Sequence, residues 1–142
     1  MSWDVSLVDT DAEHYCSFGR EDWTPEYNGD EQCPSPCYPT VEVPRHEDGG
    51  TYALGGTTEA DLNVTYNYSK HYYRVLGLPE GFRSLNNMTA AEALPYLEKG
   101  VAELGTERSS DYWEPTEGNA GYALSILLGW AKLYPKAVFH ML

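Results

Sequence analysis

Two long helical patterns fill about half of the C-terminal half of this 142-residue chain, and they constrain its fold more than any other feature. The first pattern spans Thr89–Leu104. It opens with a capping box formed by Thr89 and Glu92 and is followed by Gly105, a residue type that commonly ends helices. The second pattern spans Thr116–Tyr134 and stops just before a proline. One stripe of the first helix is apolar and should face a core: Ala90, Ala93, Leu94, Leu97, Val101 and Leu104.

The second helix is apolar nearly all round, which is typical of a helix that is buried on most faces. Small residues recur along it at every fourth position, as Gly121, Ser125 and Gly129. Glycine in a helix interior costs up to about 1 kcal/mol relative to alanine, so a compensating contact is expected. We therefore predict that another stretch of backbone packs closely along this small-residue face.

Strand patterns come earlier in the chain. Trp3–Val8 alternates between apolar and polar residues, as a half-buried strand does. Further strands are predicted for Thr40–Val43, Tyr52–Leu54 and Leu62–Tyr66. Pro44 is expected to end the first of these strands. A short helix is predicted from Ser69 to the residue before Gly77. Strands followed by helices predict an α+β domain, in which a small, mostly antiparallel sheet from the N-terminal half is covered by the two long C-terminal helices.

The charge of the chain is strongly unbalanced. Twenty-two Asp and Glu residues against nine Lys and Arg give a formal net charge of -13. Such a field repels a phosphate backbone, so direct nucleic-acid binding is disfavoured. The acidity is consistent with a solubility device, a salt-rich habitat or mimicry of DNA towards a basic partner, and the sequence leaves these three open.

Length and apolar content predict one folded domain over residues 1–142, with 9–39 as an acidic insertion loop rich in cysteine and proline. The start of the chain carries no basic and apolar leader, and no apolar run approaches the roughly 20 residues that cross a bilayer. Both features predict a soluble, cytoplasmic protein with no membrane role. The three cysteines, an odd number, argue against a complete disulfide framework.

The 9–39 segment holds the ligand types of a structural zinc site. Three thiols and one imidazole form a Cys3His set: His14, Cys16, Cys33 and Cys37. A segment with little core of its own can be ordered by a metal instead. The spacing of Cys33 and Cys37 is wider than in the commonest zinc knuckle, and His46 is a competing ligand. A Cys33–Cys37 disulfide and free thiols are the alternatives.

A second candidate site lies where polar and aromatic side chains crowd together between positions 63 and 72. Amides, hydroxyls and flat tyrosine rings suit a nucleotide base, a sugar or a peptide. The predicted ligand-binding residues are Asn63, Thr65, Tyr66, Asn67, Tyr68, His71 and Tyr72. His71 could act as a general base near neutral pH. Tyr73 belongs to the same aromatic group. The alternative is a plain polar strand face with tyrosines that close the core. The loop of Asp111, Trp113 and Glu114 is expected to pack against the tyrosines.

Four segments of the chain resemble an uncharacterised family of small proteins encoded by bacteriophages and prophages. They are the start, MSWDVSLVD; the centre, GGTYALGGTTEADLNVTYNYSKHYYRVLG; the capped helix, MTAAEALPYLEKGVAEL; and the C-terminal segment, YWEPTEGNAGYALSILLGWAKLYP. The central motif is the specific part of the resemblance, and the 9–39 segment looks like an addition. The resemblance implies a phage or mobile-element setting and a host cytoplasm, and it supplies no catalytic residues.

Three functions fit these features. The first is a non-enzymatic accessory protein that binds a host or viral protein partner, because the chain is small and acidic and shows no catalytic motif. The second is a binding protein for a small ligand, a nucleotide or a sugar, that uses the face of Asn63, Thr65, Tyr66 and Asn67. The third is a metal-dependent enzyme centred on His14 and the cysteines. The missing catalytic motif favours the first function, so we expect a protein that is not an enzyme.

If His14, Cys16, Cys33 and Cys37 hold zinc, protein purified under reducing conditions without chelators should carry about one zinc per chain. The free energy of metal binding at such a site contributes to the folding of the segment that holds it. Chelation should therefore make the 9–39 segment sensitive to proteases while the two long helices stay folded. Cys33→Ser should have the same effect without a chelator. Elemental analysis that finds no zinc would contradict the site.

Overall fold

The computed structural model describes residues 2–10, 39–46, 56–111 and 113–141. In chain order these contain β1 (Ser2–Val8), β2 (Glu42–His46), β3 (Thr57–Glu59), β4 (Asp61–Thr65), α1 (Ser69–Leu76), α2 (Ala90–Leu104), α3 (Glu117–Leu133) and β5 (Val138–Met141). Short 3-10 turns at Tyr66–Tyr68 and Gly81–Leu85 lie on either side of α1. The predicted α+β class is confirmed, with strands that pair antiparallel and two long helices that pack together.

Strand β1 is the centre of a three-stranded sheet with the order β4-β1-β5, and it pairs antiparallel with both neighbours. Its alternation works as the sequence predicts, because Trp3, Val5 and Leu7 are all buried. Alternate side chains of a strand point to opposite faces, so this one face covers the core. A second sheet, of the two strands β2 and β3, lies beside the three-stranded sheet. Backbone hydrogen bonds join the two sheets; for example, the Val41 N–H donates to the Leu7 carbonyl at 3.0 Å.

No pattern in the sequence indicated strand β5, which completes the sheet after both long helices. It pairs with β1 so that Phe139 lies opposite Leu7, and Phe139 is fully buried. Its outer edge is also occupied, because the Asn87 N–H donates to the Phe139 carbonyl and the Phe139 N–H donates to the Met88 carbonyl. The sheet therefore joins the two ends of the described chain.

The prediction that Pro44 stops the second strand is wrong. Strand β2 continues through Pro44 to His46, and its register with β3 shifts between the pairs Glu42–Glu59 and His46–Thr57. Proline lacks a backbone N–H, so strands accommodate it at irregularities and edges, and the shift supplies such a place. The predicted strand at Tyr52–Leu54 lies outside the described residues.

The predicted change from strand to helix after position 66 is confirmed, and it occurs one residue early. Strand β4 ends at Thr65, whose Oγ1 accepts a bond from the Asn67 N–H and so opens the 3-10 turn. Tyr66 therefore lies in that turn rather than in the strand. Helix α1 then ends at Gly77, which takes a φ of 66°, a left-handed conformation that glycine adopts at little cost.

Helix α2 begins with the predicted capping box. The Thr89 Oγ1 accepts from the Glu92 N–H, and a Glu92 carboxylate oxygen accepts from the Thr89 N–H and hydroxyl. The backbone bond from Thr89, helped by the hydroxyl, lowers the pKa of the Glu92 carboxyl below its ordinary value. Because the pKa of Glu92 is lower in the folded state, the capping box stabilises the folded protein fully above the ordinary carboxyl pKa. This contribution to stability is lost as the pH falls through the lowered pKa.

The close backbone contact predicted along α3 exists, but it is at the start of the helix. A Cβ atom at Gly121 would lie 1.7 Å from the Gly105 carbonyl oxygen, and one at Gly118 would lie 1.9 Å from the Glu107 carbonyl oxygen. Gly129 has no such neighbour within 4 Å, so the prediction is wrong for that position. The chain leaving α2 therefore crosses the first turns of α3 at a distance that only glycine permits.

Helix α3 is buried along most of its length, as its apolar sequence predicts. Its buried residues include Leu124, Leu127 and Trp130, while Leu133 at its end is 55% exposed. On α2 the predicted stripe is also confirmed, with Leu97 fully buried at its centre. Neither these helices nor any other helix in the described ranges has the length and apolar character needed to cross a membrane.

We predict opposite effects for the same substitution at two glycines of α3. Gly121→Ala should lower the free energy of unfolding by about 2 kcal/mol or more, because the methyl group overlaps the Gly105 carbonyl. Gly129→Ala should raise it by up to about 1 kcal/mol, because the site is open and alanine favours a helix. Urea unfolding of both variants gives the comparison. Equal effects would contradict the close contact.

Candidate functional site

The polar residues of the predicted ligand face are engaged within the protein. The Asn63 Nδ2 donates to the Ser2 Oγ at 2.8 Å and to an Asp4 carboxylate oxygen at 2.9 Å, which ties β4 to β1. Thr65 is only 2% exposed, and its hydroxyl caps the following turn. In this conformation both side chains contribute to strand pairing and to the turn, and ligand binding by them stays a prediction.

Two of the predicted tyrosines, Tyr68 and Tyr72, are fully buried. The Tyr72 ring stacks on Phe82 with ring centroids 4.7 Å apart, and Trp3 packs against Phe82 at 4.8 Å. The Tyr72 hydroxyl donates to the Ala120 carbonyl at 3.0 Å, which satisfies its polar tip inside the core. These rings hold α1, β1 and the turn at Gly81–Leu85 together.

One side of α1 and of the turn before it is bound to the loop between α2 and α3. The Asn67 Nδ2 donates to the Trp113 carbonyl at 2.8 Å, and the His71 Nε2 lies 2.8 Å from the Pro115 carbonyl. Arg74 adds an exposed ion pair to Glu117 at 2.9 Å. These bonds join the loop to the amide, imidazole and guanidinium groups of this segment, and the packing of the loop against the tyrosine rings stays a prediction.

His71 is held in one orientation by its two neighbours. A carbonyl oxygen can only accept, so the Nε2 beside Pro115 must carry the proton. The Nδ1 is then the acceptor, and it lies 3.4 Å from an Arg74 guanidinium nitrogen. This arrangement positions the loop, and within the described residues neither ring nitrogen meets a hydroxyl or thiol that it could activate as a general base.

Asn119, in the first turn of α3, organises the same loop from inside, although the sequence did not single it out. Its side chain is 5% exposed. The Oδ1 accepts from the Ser109 N–H at 2.8 Å, and the Nδ2 donates to the carbonyls of Asp111 and Glu114. A polar residue on an otherwise apolar helix face is the signal that could have indicated this role.

A neighbouring side of α1 is open to solvent. Tyr66, Lys70 and Tyr73 follow one another at spacings of four and three positions, which places them along one helical face. Tyr66 is 37% exposed and Tyr73 is 56% exposed, and Leu133 is the other large apolar side chain of the described residues found so exposed. Exposed apolar patches mark interaction sites in soluble proteins, so this side of the helix is a candidate surface.

The Tyr73 ring contacts the turn at Gly81–Leu85. A Cβ atom at Gly81 would lie 3.1 Å from the Tyr73 ring, so the ring rests directly on the backbone of that turn. The same turn and its flanking residues line an open depression of about 340 Å³, formed by Pro79, Glu80, Arg83, Ser84 and Asn86. We call the surface formed by Tyr66, Lys70 and Tyr73 the tyrosine face.

The sequence indicates the two rings of this face, because Tyr66 and Tyr73 belong to its aromatic cluster. It gives no direct signal for Lys70. Helical spacing from Tyr66 could have pointed to Lys70.

The predicted zinc ligands His14, Cys16, Cys33 and Cys37 lie outside the described residues, so the zinc site stays a prediction. Within the described ranges, no three His, Cys, Asp or Glu side chains are grouped so that they could hold a metal ion. The competing ligand His46 has its Nε2 2.9 Å from the Glu59 carbonyl, and its ring packs on Trp130 at 5.1 Å. In this conformation His46 anchors the β2-β3 sheet to α3.

Comparisons with known proteins found no match. No protein-family model, no curated protein and no solved structure matches the chain. The resemblance to phage and prophage proteins therefore stays a prediction. Among the described residues, the tyrosine face is a surface that carries exposed aromatic rings on one helical side.

We predict that Asn119→Asp loosens the loop between α2 and α3. The variant keeps the size of the side chain and replaces the Nδ2 donor with a carboxylate oxygen that repels the carbonyls of Asp111 and Glu114. The free energy of unfolding should fall by about 2 kcal/mol or more, because a buried network loses its donor. Limited proteolysis should cut the 105–116 loop faster.

The matched control is Ser125→Ala on the same helix, since the Ser125 hydroxyl donates only to the Tyr122 carbonyl of its own helix. That change should stay within about 0.5 kcal/mol, as is usual for substitutions away from a network. Equal losses in the two variants would show that Asn119 does not organise the loop.

Proposed function

We propose that this chain is a non-enzymatic accessory protein that binds a protein partner through the tyrosine face. The observation that carries the proposal is the exposure of Tyr66 and Tyr73 on one side of α1 and of the turn before it, beside Lys70. Tyrosine is among the residue types that most often dominate binding energy in protein interfaces. The resemblance to phage proteins suggests a host or viral protein as the partner, in the host cytoplasm.

The rings of the tyrosine face are ordered before any partner arrives. Tyr66 packs against Trp3 with ring centroids 4.6 Å apart, and Tyr73 lies on the backbone at Gly81. Trp3 is itself buried between Tyr66 and Phe82. A side chain that is already fixed loses little conformational freedom on binding, so more of its contact energy appears as affinity.

The contacts on the neighbouring side of α1 support binding through this one. Asn67, His71 and Arg74, on that side, are bonded to the loop and to the start of α3. The face that remains combines apolar rings with the cation of Lys70, and within residues 66–86 Glu80 is the only acid. Protein interfaces commonly have this composition, with an aromatic centre and charged groups around it.

The test is affinity capture with three baits: the unchanged protein, the double variant Tyr66→Ala/Tyr73→Ala, and Leu133→Ala. Leu133 is a matched control because its exposed fraction is 55%, against 56% for Tyr73, and it lies at the end of α3. A true partner should be retained by the unchanged protein and by Leu133→Ala. Its recovery should fall at least about tenfold with the double variant, as expected when interface anchors are removed.

Circular dichroism and thermal unfolding should show that the double variant is folded, because Tyr66 also contacts Trp3. Failure to enrich any protein, or equal recovery with all three baits, would contradict the proposal. A parallel thermal-shift screen covers the small-ligand alternative, since a ligand that binds only the folded state stabilises it. A nucleotide or sugar that raises the melting temperature, in a manner abolished by Asn63→Ala, would favour that alternative.

A further inference from the structure

We propose that the outer side of α3 is an interface with a second copy of this chain, in which the two α3 helices run antiparallel about a two-fold axis. This inference goes beyond the proposed function, because it concerns a different surface. Helix α3 carries two stripes of apolar and small residues. One faces the core, and the other follows helical spacing along the outside: Tyr122, Ile126, Gly129 and Leu133.

The outer stripe is open to solvent within the described part of the chain. Leu133 is 55% exposed, and Tyr122 and Ile126 are half-buried. After Glu117 at its start, α3 contains Lys132 as its only charged residue. The outward side of a surface helix normally carries charged and polar residues, so an outer side that is mainly apolar indicates a contact surface.

The end of α3 is basic in an otherwise acidic chain. Lys132 and Lys136 are exposed there. Positions 118 to 142 contain no Asp or Glu, although the whole chain has 22 of them. Exposed charges are screened beyond about 8 Å at physiological ionic strength, so the nearest groups contribute most to a contact at this end. These two lysines therefore favour an acidic neighbour.

The start of α3 lies beside an acidic segment. The backbone of Glu107 packs against α3, since a Cβ atom at Gly118 would lie 1.9 Å from the Glu107 carbonyl oxygen. The segment 103–116 around it has one base, Arg108, against four acids: Glu103, Glu107, Asp111 and Glu114. The apolar outer side of α3 is thus bounded by acids at its start and by lysines at its end.

This order of charges is self-complementary, which is why we assign the surface to a second copy. When two α3 helices lie antiparallel, the basic end of each meets the acidic end of the other, and the apolar stripes face each other between them. A two-fold interface uses the same patch of both copies, so the chain supplies both halves of the match by itself. A different partner would need the same two charges in the opposite order.

The first experiment measures the mass of the full chain by analytical ultracentrifugation, at physiological ionic strength and with a reductant that excludes disulfide-linked dimers. A helix of 17 residues is about 25 Å long, which gives a smaller contact than that of a permanent dimer, so concentrations should reach about 1 mM. We expect a dimer that grows with concentration. Leu133→Glu should weaken it by at least about tenfold, because the change places a charge in the apolar contact.

His140→Glu is the matched control, because it also introduces a carboxylate at an exposed position. His140 lies on β5 between the buried Phe139 and Met141, so its side chain points away from the core and from the helices that cover it. Dimerisation of this variant should equal that of the unchanged protein. Circular dichroism should show that both variants are folded.

The second experiment tests the antiparallel arrangement by exchanging charges. One variant carries Lys132→Glu and Lys136→Glu, and the other carries Glu103→Lys and Glu107→Lys. Each alone should dimerise more weakly than the unchanged protein, because like charges meet at both ends. An equimolar mixture should form a heterodimer, because opposite charges meet again. The inference is overturned if the unchanged chain stays monomeric at about 1 mM, if Leu133→Glu and His140→Glu act equally, or if mixing restores no association.

Discussion

The backbone contact between Gly121 and Gly105 is the constraint on which the helical half of the molecule depends. The carbonyl oxygen of Gly105 occupies the space where any larger residue at position 121 would place its Cβ atom. Because Gly105 ends α2, this contact sets where the chain leaves α2 and crosses α3. Gly118 and Asn119 then hold the next residues of the loop, one by the same close approach and one by its buried amide. The loop is therefore built on the start of α3 as a fixed element.

The position of that loop decides which side of α1 is covered. Its carbonyls at Trp113 and Pro115 take the side of α1 that carries Asn67 and His71. Tyr72 points into the core and donates to Ala120, so its ring is also enclosed. The polar and aromatic residues of this segment thus divide into residues that bind the loop, residues of the core and residues of the open face. Tyr66 and Tyr73 belong to the open face.

Local signals predicted much of the fold. The Thr89 and Glu92 capping box, the left-handed Gly77 and the alternation of β1 all act within a few residues, so a short pattern contains the cause. The errors arise where the cause is distant. Strand β5 depends on its pairing with β1 at the other end of the chain, and four residues carry little pattern of their own. Pro44 stays in a strand because the register with β3 shifts around it.

The sequence by itself determined the α+β class, the ends of the two long helices and the presence of an unusual group of tyrosines and amides between positions 63 and 73. These follow from periodicity and capping, which depend on near neighbours. The tertiary structure decided that Gly121 meets another backbone while Gly129 meets none among the described residues, and that Tyr66 and Tyr73 are exposed while Tyr68 and Tyr72 are buried. Exposure of a side chain depends on which distant segment covers it, and here that was set by the loop crossing α3 and by the turn that packs Phe82 against Trp3.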